Sequence, residues 1–202
     1  MLTKNQIKIM ELFTSQMTEL FTMRGIERVI KMRFSLVQYA IKPIKERRLI
    51  KANKQNFLYL NYKENHDVLA YVEYIGRNKF LSKAKNKVLA MFLKDFVNNF
   101  KEKSFVLLIF GSAVKSGNPN DIDILLIVDD VKKTDSSEKF IYNTSRNYNL
   151  DKDLHITVIS YESVYEMLSK REKVNIMNEV LNKHIIIYGA ELFYRLITGA
   201  RE

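Results

Sequence analysis

The sequence predicts an α+β protein: a helical amino-terminal module closed by a β-hairpin, then a sheet flanked by helices. Three observations carry that expectation. Residues 1–62 hold three short segments with apolar residues at helical spacing, followed by two short strand-like runs around a polar turn. Phe105–Phe110 and residues 122–128 are near-continuous apolar runs, the pattern of strands buried on both faces. Residues 64–100 and 131–197 carry helical patterns, and the second of these stretches is interrupted by two further strand-like runs.

Each element has its own signal. Thr3 is placed to cap a helix reaching about Phe13, with Ile7, Met10 and Phe13 in one stripe. A second helix is expected over residues 23–31, with Ile26, Val29 and Ile30 on one face. Ser35 reads as the cap of a third helix, from Leu36 to about Arg47. Leu36, Tyr39, Ala40 and Ile44 are expected to point inward, and Gln38, Lys42 and Lys45 outward. Pro43 lacks a backbone donor and is expected to kink or split that helix. Residues 49–51 and 57–60 flank the turn-like group Asn53-Lys54-Gln55-Asn56 as a strand, turn, strand pair.

Residues 64–100 predict two helices meeting near Ser82. Val68, Leu69, Val72 and Ile75 stripe the first; Val88, Leu89, Phe92, Leu93 and Phe96 stripe the second. Beyond the two apolar runs, residues 131–137 read as a loop and 138–148 as a helix. Residues 154–160 read as a third strand, 161–168 and 174–181 as helices, His184–Tyr188 as a short strand and 190–197 as a closing helix.

The composition narrows the class. A chain of 202 residues with 47% hydrophobic content can build one large domain or two small ones. It contains no cysteine, which excludes disulfides and thiolate metal sites. No apolar run reaches membrane-spanning length, and the amino terminus lacks the apolar core of a secretion signal, so a cytoplasmic protein is expected. The net charge of +10 is unevenly spread: residues 1–65 hold thirteen basic side chains against five acidic ones, a surplus of eight. A basic module ahead of a near-neutral one points to a nucleic-acid contact.

The most informative stretch is FGSAVKSGNPNDIDILLIV, from Phe110 to Val128. Asp121 and Asp123 open its second apolar run two residues apart, and in a strand such residues share a face. Two like charges so close repel, and a divalent cation is the natural compensation, since Mg²⁺ takes carboxylate oxygens and keeps sites for phosphate and water. Gly111 permits a close backbone approach, and Ser112 offers a hydroxyl and N–H groups to a phosphate.

On these residues the stretch resembles the signature of the polymerase-beta-type nucleotidyltransferases, above all their minimal branch. The resemblance covers roughly residues 83–198 and implies a mixed sheet flanked by helices. It also implies that Asp121 and Asp123 hold Mg²⁺ (or Mn²⁺), that Gly111 and Ser112 bind the triphosphate of an NTP such as ATP, and that Lys115 adds positive charge. Residues 1–62 resemble winged helix-turn-helix domains joined to such enzymes, with residues 63–82 as a connecting helix. That likeness implies that Ser35, Gln38, Lys42 and Lys45 meet DNA bases or phosphates, with Lys54 at the wing tip on backbone phosphate.

Members of the family place a third carboxylate on the next strand. His155 stands at the equivalent place here, with Asp153 two residues earlier on the same face. Asp153 as the third acid in a shifted register, His155 as ligand or base, and a site that binds nucleotide without turnover all remain open at this level. Two functions follow. One is transfer of a nucleoside monophosphate to a hydroxyl acceptor, for instance on a cognate toxin protein. The other is a DNA-binding, antitoxin-like regulator whose second domain is a nucleotide sensor or dimerisation scaffold. A homodimer is expected in either case.

Overall fold

Three helices, α1 (Lys4–Ser15), α2 (Met23–Ile30) and α3 (Phe34–Glu46), are followed by a two-stranded antiparallel hairpin of β1 (Ile50–Ala52) and β2 (Leu58–Leu60) in the computed structural model, which describes residues 1–115, 121–169 and 175–200. Thr3 caps α1 through a reciprocal pair: its hydroxyl accepts from the Gln6 N–H, and its own N–H donates to Gln6 Oε1 at 2.9 Å. Phe21, between α1 and α2, bridges to Leu58 with both backbone hydrogen bonds, which ties the hairpin back to the helices.

The inward faces of α2 and α3 differ from expectation. In α3, Val37, Ala40, Ile41 and Ile44 are buried, whereas Leu36 is 43% and Tyr39 82% exposed. The buried set follows the i, i+3, i+4, i+7 spacing from Val37, one position later than the stripe expected from Leu36. Ser35 lies inside the first turn, and Arg33 takes the cap position without a side-chain hydrogen bond. Pro43 neither splits nor ends the helix, which runs on to Glu46; the carbonyl left without a donor is that of exposed Tyr39. In α2, Ile26 and Ile30 are buried and Val29 is exposed.

The chain continues through α4 (His66–Leu81), a 3₁₀ turn at Ala84–Asn86, and α5 (Lys87–Asn99). Then come β3 (Phe105–Phe110), the short α6 (Ser112–Lys115), β4 (Asp121–Val128) and a 3₁₀ turn at Val131–Lys133. Helix α7 (Thr134–Ser145) starts and ends earlier than its weak apolar pattern implied, with Ile141 as its fully buried aliphatic residue. Next are β5 (Asp153–Ser160), α8 (Tyr161–Ser169), α9 (Ile176–Val180), β6 (His184–Tyr188) and α10 (Ala190–Gly199).

The last four strands form one mixed sheet in the order β5-β4-β3-β6, parallel between β4 and β5 and antiparallel elsewhere. Its two faces bury different cores. Leu107, Ile109, Ile124 and Leu126 face α5 and α7, where Phe92, Phe96 and Ile141 complete the layer. Val106, Leu108, Leu125, Ile127 and Ile186 face α8, α9 and α10, and this core runs on without a break through Leu69 and Val72 of α4 into α1 and α3. Polar groups inside that second layer are paired: Tyr194 Oη donates to Glu73 Oε1 at 2.8 Å, and His184 Nε2 lies 3.4 Å from the same oxygen. Burial, with the Glu73 charge added, pushes the Tyr194 phenol well above its ordinary value.

Among the described residues, no helix is long and apolar enough to cross a membrane. The face that α3 buries has a direct consequence for stability. Ile41→Ala should cost about 2–4 kcal/mol of stability in chemical denaturation, as a large-to-small change in a packed core. Leu36→Ala and Tyr39→Ala should each stay within about 0.5 kcal/mol of the parent.

Candidate metal centre

The acidic group is built by strand register. Phe110 pairs with Asp123 across β3 and β4, while Asp121 and Asp123 pair with Asp153 and His155 across β4 and β5. Residues 124–128 of β4 are fully buried, so the strand cannot slip without burying a charge. Alternation then sends Asp121, Asp123 and His155 to the face that carries Leu125 and Ile127. They stand where the strand emerges from the core, with Asp123 the less exposed of the two carboxylates.

His155 Nδ1 lies 3.5 Å from Asp121 Oδ2 and 3.5 Å from Asp123 Oδ1, an electrostatic contact at the outer limit of hydrogen bonding. Ser112 Oγ donates to Asp121 Oδ1 at 3.3 Å. Gly111 is required for two reasons. Its φ of +73° is strained for any other residue, and a Cβ there would sit 2.6 Å from Asp123 Oδ2. Its N–H donates to the Lys183 carbonyl at 3.2 Å, so Gly111 serves the site by having no side chain and not as a free donor.

Burial raises the Asp123 carboxyl above its ordinary value; the charge of Asp121 raises it further, and the contact with His155 opposes the shift. The charge of Glu179, from α9, adds to the rise. Sequence reasoning missed Glu179. It lies 56 positions after Asp123 as an ordinary polar position of an amphipathic helix, and only the tertiary fold brings it near.

The donor set fits a divalent cation. Asp121, Asp123 and His155 each offer one ligand atom, and these atoms all lie within 4.8 Å of one another. Two carboxylates suit Mg²⁺ or Mn²⁺, and the imidazole moves the preference towards Mn²⁺. Asp153 shares the face and the strand of His155, yet it pairs beside Asp121 and is not part of the group. Lys115 ends α6, but its side chain lies outside the described residues, as does the Gly117–Asn120 loop. A cavity of about 200 Å³ lined by Phe80, Leu89, Ala113 and Ile122 lies on the opposite face of β4, so the acidic group is on open surface and not in that cavity.

The residues expected to meet DNA lie elsewhere in the fold. Ser35, Gln38, Lys42 and Lys45 are all exposed along one side of α3, and Lys54 is exposed in the turn between β1 and β2. That turn is held by Asn53 Oδ1, which accepts from the Gln55 and Phe57 N–H groups. No family model, curated protein or solved structure shows a significant match to the chain.

The raised Asp123 carboxyl sets a pH dependence. The folded state binds that proton more tightly than the unfolded chain, so stability is lost as pH rises through the window between the ordinary and the raised value. Asp123→Asn should therefore raise the Tm of the metal-free protein at pH 7, by about 2–4 °C per kcal/mol of repulsion relieved. The advantage should vanish below the ordinary carboxylate range. Thermal unfolding in a chelator, from pH 3 to pH 8, reads both.

Proposed function

We propose that the chain is a metal-dependent nucleotidyltransferase joined to a DNA-binding winged helix. The observation that carries this reading is the convergence of Asp121, Asp123 and His155 on one point, directly beside the Gly111-Ser112 turn. A carboxylate pair held against its own repulsion is suited to a divalent cation, and an adjoining glycine-serine turn is suited to the phosphates that share it.

In the proposed reaction an acceptor hydroxyl oxygen bonds to the α-phosphorus of an NTP such as ATP. The bond from that phosphorus to the α–β bridging oxygen breaks, pyrophosphate leaves, and the hydroxyl proton is released. A Mg²⁺ or Mn²⁺ ion, when bound, supplies charge neutralisation on the triphosphate. Asp121 and Asp123 would hold that ion, and His155 is the nearest group that could complete its shell or accept the proton. Ser112, whose hydroxyl already reaches Asp121, would orient the phosphates, with Lys115 adding charge. For the amino-terminal unit, three helices and a hairpin tied together at Phe21 and Leu58 support the winged-helix reading, and the exposed row Ser35, Gln38, Lys42 and Lys45 supports DNA contact.

Calorimetric titration of ATP with Mg²⁺ or Mn²⁺, with pyrophosphate release followed alongside, tests the catalytic part. Metal-dependent binding should be lost in Asp121→Asn, by tenfold or more; nucleotide binding that is indifferent to metal and to Asp121 would overturn it. Binding without pyrophosphate release across candidate acceptors would instead indicate a sensor. For the DNA part, replacing Lys42 and Lys45 by Ala should weaken duplex binding and flatten its dependence on salt. Unchanged affinity would remove α3 as the reader.

A further inference from the structure

Beside Asp123, β5 presents His155 and not a carboxylate. A different element brings an acid to the same point. Glu179, on α9, places Oε1 3.6 Å from the position that a Cβ on Gly111 would fill, and Asp123 Oδ2 lies 2.6 Å from that position. Both carboxylates thus approach the space that a side chain at Gly111 would fill. Glu179 side chain is 47% exposed, and its ion pair with Lys183 is long at 3.9 Å, so the carboxylate is not committed to that partner.

The backbone that carries Glu179 is held firmly from several sides. Asn175 caps α9 by accepting from the Asn178 N–H, and His184 Nδ1 contacts the Val180 carbonyl. Immediately after α9, the Met17 N–H donates to the Leu181 carbonyl at 3.0 Å. Thr18 and Asn182 form a reciprocal clasp, with the Thr18 N–H donating to Asn182 Oδ1 at 3.1 Å and Asn182 Nδ2 donating to Thr18 Oγ1 at 2.6 Å. The next residue, Lys183, gives its carbonyl to Gly111. The backbone thus fixes where Glu179 stands beside the glycine turn, and its half-exposed carboxylate stays accessible to an ion.

We propose that Glu179 is the third carboxylate of the acidic site, supplied from α9 in place of β5, and that it ligates the divalent ion directly or through one bound water. The inference rests on the metal-binding reading of Asp121 and Asp123. Glu179 lies outside the tight group formed by those two residues and His155, so ion binding draws it in or reaches it across a water.

The test is Mn²⁺ binding by the full chain, followed by calorimetry and by the Mn²⁺ electron-spin signal, for the parent, Asp121→Asn, Glu179→Gln and a remote control, Glu191→Gln. Glu179→Gln should weaken Mn²⁺ binding by about 10-fold or more, within the range seen when a supporting metal-site partner is removed. Glu191→Gln should leave it unchanged. The effect of Glu179→Gln should persist at high salt, where through-space attraction between exposed charges is screened. The unfolding temperature in chelator should not fall below the parent's, because the acid removed is half-exposed and adds only repulsion to Asp123. If the parent binds Mn²⁺, Asp121→Asn abolishes binding and Glu179→Gln does nothing, the inference is overturned while the acidic site stands. A loss that disappears at high salt overturns it too, as a field effect only. If the parent itself does not bind Mn²⁺, the underlying site reading fails, and the inference with it.

Discussion

The pairing of β4 between β3 and β5 is the constraint on which the rest depends. Its apolar residues alternate between two cores, so both faces of the strand are fixed by burial. A slip of one residue would turn Asp121 and Asp123 towards α5 and α7 and send Ile122 and Ile124 to the open end. With the register set, Phe110 lies opposite Asp123, and the chain has one residue, Gly111, in which to leave β3. The positive φ of that residue and its missing side chain are therefore consequences of where Asp123 stands. The parallel neighbour then brings His155 beside Asp123 without any further device.

A second dependence links the amino-terminal unit to this site. Its core is continuous with one face of the sheet through α4 and α10, and Lys79 of α4 pairs with Glu11 of α1 at 2.6 Å. The sharper link is the turn at residues 181–184. Its outer side hydrogen-bonds to Met17 and Thr18, and its inner side receives the Gly111 N–H and continues into the buried His184. The segment connecting α1 and α2 thus braces the glycine turn through a single intervening stretch of backbone. The amino-terminal unit is thus packed and hydrogen-bonded onto the segment that supports the acidic site and does not hang from a free linker.

The legible parts of the fold were those with a continuous apolar signal. The limits of β3 and β6 follow directly from sequence, because strands buried on both faces carry uninterrupted apolar runs. Of the candidate site, Asp121, Asp123 and His155 converge because their spacing fixes their face once the strands are known. The inward side of α3 is only partly legible, since Leu36 and Val37 are adjacent and equally apolar, and only packing against α1 and α2 chooses between them. The sequence pattern places the start of α7 too late because its first turn is wholly polar and is held by local bonds such as Thr134 Oγ1 to the Val131 carbonyl. Glu179 had no local signal at all. Its approach to Asp123 is created by β6 pairing with β3, a contact between distant parts of the chain.

Charge balance gives these placements a common logic. An imidazole beside Asp123 leaves the β4–β5 group with two formal negative charges at most, where a third acid on the strand would have made three. The lower charge eases the repulsion that the metal-free fold must bear, and Asp123 already feels that repulsion from Asp121. It also weakens the attraction for a hard dication, which scales with the charge of its ligands. A half-exposed carboxylate on a separate helix would resolve the conflict. In the empty site Glu179 can turn to solvent and Lys183, and its cost to Asp123 ranks last among the influences on that carboxyl. With an ion present the same carboxylate can close on it and restore the third charge. As an ion ligand, an acid placed on α9 and not on β5 would separate the stability of the metal-free protein from its affinity for the ion.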